Sequence, residues 1–181
     1  MNLDEALEAV AGGDAGALKL VYEEMRSIVY ALALSIVRNK PAAEDILQET
    51  FVRVYEKAGT YRAGSNPKAW IVTIARNLAY DVLRRESKSR SGEIQEVMCT
   101  AGDSIEQRLA LTDALFQLEV MERQIVVMHV VAGLKHHEIS TQLGIPAGTV
   151  RWKYRQSLSR LADMMGGDHD EEGTAHVRAK R

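Results

Sequence analysis

Thr149, Arg151, Trp152, Lys153 and Arg155 bring three cations, a hydroxyl and an indole into one short stretch. That set is poor material for bond making and good material for recognition. Guanidinium and ammonium groups hold phosphates, and an arginine fork can read a base edge in a DNA groove. A second set recurs upstream. Trp70, Thr73, Asn77, Asp81 and Arg84 are spaced i, i+3, i+7, i+11 and i+14, one stripe of a helix, with Arg76 and Tyr80 beside it. An unpaired base can stack on an aromatic ring, bond through its polar edge to Asn or Thr, and have its phosphates held by cations. The preceding loop, from Tyr61 and Arg62 to Asn66, can add a wall to such a pocket. The plain alternative is a solvated helix surface with Trp70 in the core. A third set, Asp45, Gln48, Glu49 and Val52, is acidic and amide-rich and suits a protein surface better than a nucleic acid; here too a solvated face is the alternative.

Catalytic constellations are missing. No phosphate-cradling glycine loop or nucleophile motif occurs, and the carboxylates are scattered. His136 and His137 are adjacent, so on a helix they diverge by roughly 100° and make no metal pair. The expectation is a binding protein and not an enzyme, with no metal and no cofactor. Cys99 is the only cysteine, so no internal disulfide can form, which fits a reducing cytoplasm. The first residues are acidic and amphipathic, unlike a signal peptide, and no run of about 18 apolar residues predicts a membrane span.

The elements that must position these sets are helices. The chain has 181 residues, 46% of them hydrophobic, and only three prolines. The fold class expected is all-α, two helical domains joined by a flexible linker, the second containing a helix-turn-helix. Gly12-Gly13-Asp14 breaks an N-terminal helix. Leu18, Val21, Tyr22, Met25, Ile28, Val29, Leu32 and Ile36 then form a long apolar stripe. Another helix runs from about Pro41 to Lys57, with Ala43, Leu47, Phe51 and Val54 inward. A loop over Gly59–Asn66 leads into a helix from Pro67 to about Arg85, with Ile71, Ile74, Leu78 and Val82 inward. The domains expected are 1–88, a polar linker over 89–104, a second domain over 105–165, and a disordered charged tail over 166–181.

The second domain ends in the helix-turn-helix. Ile139 and Leu143 share a face of a short helix, Ser140 permits close approach, and Gly144 terminates it. Pro146-Ala147-Gly148 opens a further helix whose expected buried stripe is Val150, Tyr154, Leu158 and Leu161. The net charge is only −2, but its distribution is uneven. Six cations face two acids between Pro67 and Arg90, and four face one between Ala147 and Met165. Two basic patches in an acidic chain suggest local contact with nucleic acid and protein contacts elsewhere.

Three segments in this order resemble one family. A-E-D-I-L-Q-E-T-F-V-R-V-Y (Ala43–Tyr55), A-W-I-V-T-I-A-R-N-L-A-Y-D-V-L-R-R (Ala69–Arg85) and E-I-S-T-Q-L-G-I-P-A-G-T-V-R (Glu138–Arg151) are similar to the core-binding, −10 and −35 helices of extracytoplasmic-function (ECF) sigma factors of bacterial RNA polymerase. The resemblance implies a cytoplasmic transcription-initiation factor that binds core polymerase, through its β′ clamp helices and its β subunit, and promoter DNA. Asp45, Gln48, Glu49 and Val52 would meet the clamp helices. Tyr61, Arg62 and Asn66 would belong to a loop capturing a flipped base. Trp70, Thr73, Arg76, Asn77, Tyr80, Asp81 and Arg84 would hold the −10 element, and Thr149, Arg151, Trp152, Lys153 and Arg155 would face the −35 duplex. An anti-sigma factor is a further implied partner. The alternative is a free-standing helix-turn-helix regulator. Two departures from the family stand out. Lys135 and His136 replace the small or hydroxyl residues that often open the first reader helix, leaving its start without a side-chain cap. Trp152 and Tyr154 are bulky for the second.

Overall fold

The computed structural model describes residues 1–89 and 103–166. Most of the expected linker, with Cys99, and nearly all of the expected tail lie outside the described residues. The described residues fold into helices throughout: α1 (Leu3–Ala11), α2 (Ala15–Val37), α3 (Lys40–Lys57) running into a 3-10 turn (Ala58–Thr60), α4 (Pro67–Ser89), α5 (Asp103–Gln117), α6 (Val120–Val126) continuing as a π turn (Val127–Val131), α7 (His136–Leu143) and α8 (Ala147–Met164).

Local chemistry sets the helix ends. Asn2 caps α1 by accepting from Glu5 N, while the Glu5 carboxylate accepts from Asn2 N, a reciprocal box. Asp14 caps α2 through the N–H groups of Gly16 and Ala17. Arg38 ends α2 in the left-handed region at φ 54°, and Asn39 then caps α3 with Pro41 in its first turn. Asn66 caps α4 by accepting from Ala69 N.

Helix α2 is the spine. Val21, Met25, Val29, Leu32 and Ile36 are buried along it, and it packs against α1, α3 and α4. Each such side chain contributes about 1.5–3 kcal/mol when fully removed from water. Leu18 is only partly covered, and Tyr22 sits at the rim, edge-on to Phe51 at 4.8 Å. On α3, Ile46 is buried more deeply than Leu47. On α4 the deepest residues are Ile71, Val72, Ala75 and Ala79, while Ile74, Leu78 and Val82 flank them. The two alanines carry little hydrophobic signal, yet their small size is what lets neighbouring helices approach.

The second half packs α6, α7 and α5 against α8. The expected stripe on α8 needs one correction. Val150 and Leu161 are buried and Tyr154 is partly so, but Leu158 is 40% exposed and Ser157 takes the inward position. At roughly 100° per residue, seven steps from Val150 return almost to its face, whereas eight overshoot it by about 80°. The polar Ser157 is satisfied inside by donating to Lys153 O at 2.8 Å.

The halves do not stand apart. Ile125, Val127, Met128, Ala132, Leu134, Ile139 and Val150 join the same apolar cluster as the first-half core, and α2 contacts both α6 and the π turn.

Candidate nucleic-acid interface

Helix α4 and the loop before it carry the first group of candidate residues. The Tyr61 ring stands edge-on to Trp70, centroids 5.5 Å apart. Trp70 is half-buried and packs on the core, so its indole serves the fold as well as the surface. Arg62 is exposed at the loop tip, where Ser65 N and Oγ both donate to Arg62 O and Gly64 turns at φ 76°. Thr73, Asn77 and Arg84 are exposed, and Arg84 pairs with Asp81. Arg76, Asn77, Tyr80, Asp81 and Arg84 line one open groove. Its wall is a cation–π pair, the Arg76 guanidinium lying 4.8 Å from the Tyr80 ring centroid. A ring, an amide and two guanidiniums in one groove can hold a stacked base and its phosphates.

That groove is engaged from the second half. Arg76 Nε donates to Gln124 Oε1 at 3.1 Å, and Gln124 Nε2 donates to Tyr80 Oη at 2.8 Å. Gln124 itself is fully buried. Asn66 Nδ2 donates to Glu138 Oε1 at 2.7 Å, and Gln142 Nε2 donates to Ala69 O at 3.0 Å. Nothing in the local spacing marks Gln124, Glu138 or Gln142 as partners of residues dozens of positions away.

The helix-turn-helix forms with Gly144 at φ 67° between α7 and α8. Ser140 Oγ donates to Ile145 O at 2.6 Å across the turn, a bond as well as the close approach its size permits. The start of α7 is well defined despite the absence of a capping hydroxyl. Lysine has no acceptor, but Glu138 reaches back and accepts from Lys135 N at 2.7 Å. Burial raises the Glu138 pKa, but the hydrogen bonds from Asn66 and Lys135 N outweigh it, and the carboxyl is held below its ordinary value.

The five α8 residues do not share one face. Arg151, Trp152 and Arg155 are exposed together, Trp152 at 58%. Thr149 and Lys153 lie about half a turn from Arg151 and Arg155, partly covered, with Trp152 between the two pairs and Lys153 Nζ 5.9 Å from its ring centroid; Lys153 also approaches Glu119 at 4.0 Å. Helical geometry separates positions 149 and 153 from 151 and 155. Tyr154, beside them, turns inward to stack edge-on with His129 at 4.6 Å and His136 at 5.4 Å. Its bulk therefore fills the domain interior. Burial first, then His129, Arg151 and Arg155, push the His136 imidazole below its usual value. Among the described residues no three His, Cys, Asp or Glu side chains converge as metal ligands.

On α3, Asp45, Gln48 and Val52 are exposed, with Tyr55 one turn beyond Val52. Glu49 is partly covered and pairs with Arg53 at 2.8 Å. One buried cation has no counterpart in the expected sites. Arg123 is 2% exposed, its guanidinium lies 5.2 Å from the Phe116 ring centroid, which the first half's Arg38 also approaches at 5.0 Å, and Nη2 donates to Leu118 O. Burial, then repulsion from Arg38, lowers its pKa to about 10.

No helix among the described residues is long and apolar enough to cross a membrane. Residues 21–89 match the Sigma-70 region 2 family, and residues 108–161 match Sigma-70, region 4. An ECF RNA polymerase sigma factor SigK of Mycobacterium sp. (strain JLS) is 27% identical, covering 91% of each chain. An ECF RNA polymerase sigma factor SigL of Mycobacterium tuberculosis is 26% identical, covering 86% of this chain and 92% of its own. The fold is that of CnrH, solved with the cytosolic domain of CnrY, at a TM-score of 0.69, 16% identity and coverage of 91% and 97%. It is also that of the sigma factor RpoE of Bartonella quintana, solved with the anti-sigma factor NepR, at a TM-score of 0.65, 23% identity and coverage of 81% and 96%. With both sigma regions present in order on two packed helical halves, the chain belongs to the extracytoplasmic-function class of the sigma-70 family.

Proposed function

We propose that this chain binds core RNA polymerase in the cytoplasm and directs it to a set of promoters, acting by recognition and not by catalysis. The carrying observation is the pairing of two unlike surfaces on one chain: the groove of Arg76, Asn77, Tyr80, Asp81 and Arg84 on α4, and the exposed Arg151, Trp152 and Arg155 on α8. The first has the chemistry for unpaired −10 bases and the second for a −35 duplex. Strand opening is then favoured by capture of exposed bases, with no chemical step required. The first half, through residue 88, supplies core and −10 contacts, and residues 105–165 supply −35 contacts. Asp45, Gln48, Glu49 and Val52 present the α3 face to the polymerase clamp, with β contacted elsewhere.

Gln124 occupies Arg76 and Tyr80 in the arrangement seen here. Bases and phosphates must displace it, so DNA engagement requires the two halves to separate at this contact. An anti-sigma partner that favours the packed arrangement would hold the factor inactive; the solved complex of the sigma factor RpoE with the anti-sigma factor NepR supports such a partner class.

The test is reconstitution. Mixed with core polymerase and a genomic promoter library, the protein should yield discrete run-off transcripts and co-purify with core. Tight binding to a palindromic duplex without any affinity for core would replace this reading with that of a free-standing regulator.

A further inference from the structure

Helix α1 precedes the residues that match sigma region 2, yet it touches the loop before α4. Its apolar face, Leu3, Ala6, Leu7 and Val10, is buried against the rest of the first half. That anchors its first turn beside the loop. Asp4, partly covered, lies at the edge of this apolar face, about 100° round the helix from Leu3. Its carboxylate accepts from the Tyr61 hydroxyl and from Gly64 N, at 3.4 Å and 3.3 Å for the two oxygens. Tyr61 Oη also lies 2.9 Å from Ser65 O, so one hydroxyl proton is shared between helix and loop.

Asp4 has no local task that explains this. Asn2 already caps α1, and Glu5 closes the reciprocal bond. The acidic charge suits a helix N-terminus, but a solvent-facing rotamer would meet that need equally. The carboxylate instead spans a gap of about sixty residues in sequence to grip two points of one turn, Tyr61 at its base and Gly64 at its tip. Burial, followed by the bond to Asp4, raises the Tyr61 pKa, so the hydroxyl remains a donor. The tip residues Arg62, Ala63, Gly64 and Ser65 are all exposed. An exposed turn with a glycine would otherwise sample many shapes, and ordering it on binding would cost conformational entropy.

We propose that Asp4 is a positioning residue for base capture, holding the 61–66 turn from α1 in the shape that receives an unpaired base of the non-template strand. This rests on the reading of that turn as the base-capturing element, and it adds a residue from outside the sigma region to that site. Asp4 does not touch the DNA; it acts through Tyr61 and Gly64.

The experiment uses the full chain on core polymerase. The probe is the single-stranded DNA that the wild-type holoenzyme selects from a randomised pool, compared with the same strand carrying an abasic nucleotide at each position in turn. The position whose abasic form binds weakest defines the captured base. Asp4→Ala should lose roughly tenfold affinity for the intact strand, the scale of a bond to a charged group, and nothing for that abasic strand. Asp4→Asn keeps an oxygen for both donors and should restore most of the loss. The Asp4→Ala, Tyr61→Phe pair should lose less than the two single losses combined, because both remove the one shared bond. Equal losses on intact and abasic strands, with no rescue by asparagine, would mean a merely structural role and sink the proposal. So would wild-type behaviour of Asp4→Ala beside an Arg62→Ala, Ser65→Ala variant that loses base-dependent binding. If that loop variant is also unaffected, base capture by the turn is itself wrong and the proposal goes with it. Should Asp4→Ala fail to fold, Tyr61→Phe breaks the same bond without touching α1, and its indifference to the base would overturn the assignment.

Discussion

Asn66 Nδ2 and Glu138 Oε1 meet at 2.7 Å, joining the cap of α4 to the first turn of α7. Each residue does two jobs. Asn66 caps its helix through Oδ1 and donates across to the other half. Glu138 closes the start of α7 through Lys135 N and accepts from Asn66. This contact ties the turn before α4, proposed to capture a base, to the helix-turn-helix.

Its pH dependence follows from the depressed Glu138 pKa. A carboxyl whose folded value lies below its unfolded value of about 4.5 contributes stability that is fully present above that value. The contribution is lost as pH falls through the lower folded value. Wild-type protein should therefore lose melting temperature relative to Glu138→Gln as pH drops below about 4.5. Parallel melting curves for the two across this range would show that the contact carries no charge-dependent stability.

Gln124→Ala removes two bonds between the halves, one of them to a charged group. At roughly 1–3 kcal/mol, this should shift the free protein toward separated halves. A donor–acceptor dye pair on α4 and α8 should report a longer mean distance. The same variant should bind single-stranded −10 DNA several-fold better in the absence of core, because Arg76 and Tyr80 are released. Unchanged distance and unchanged affinity would show that Gln124 does not gate the groove.

Arg151→Ala should cost about 1–3 kcal/mol on the preferred −35 duplex if Arg151 makes a bidentate base contact. Equal loss on every duplex sequence would assign it to phosphate. Lys153→Ala should have the smaller effect, because Lys153 is drawn toward Glu119 on another side of α8. A gel-shift series with mutated −35 elements separates these cases.

Asp45→Lys should weaken core binding by roughly tenfold while leaving the melting temperature unchanged, since Asp45 is exposed and its reversal touches only the α3 face. Glu49 is a less clean probe, because a lysine there would face Arg53. Core affinity unaffected by Asp45→Lys would remove that residue from the interface.

Much of this molecule was legible along the chain. Helix limits followed from Gly12, Asp14, Pro41 and Gly144, whose backbone preferences and capping groups act within a few residues. The sigma motifs were legible for the same reason: each is one helix face, and helical period turns spacing into a surface. Legibility failed where a residue's role depends on what lies opposite. Leu158 faces water and Ser157 the core, a difference of one residue that a loose count of the period blurs. Lys153 sits in a basic stretch but leans on Glu119.

The sequence alone determined two recognition surfaces and the order of their helices, because local propensities and apolar periodicity act along the chain. Only the tertiary structure decided that α6 and α7 meet the α4 surface and its preceding turn through Gln124 and Glu138, and that Asp4 grips a turn far along the sequence. Hydrogen bonds between distant segments depend on how packed helices orient side chains in space. No spacing rule carries that information before the core has formed.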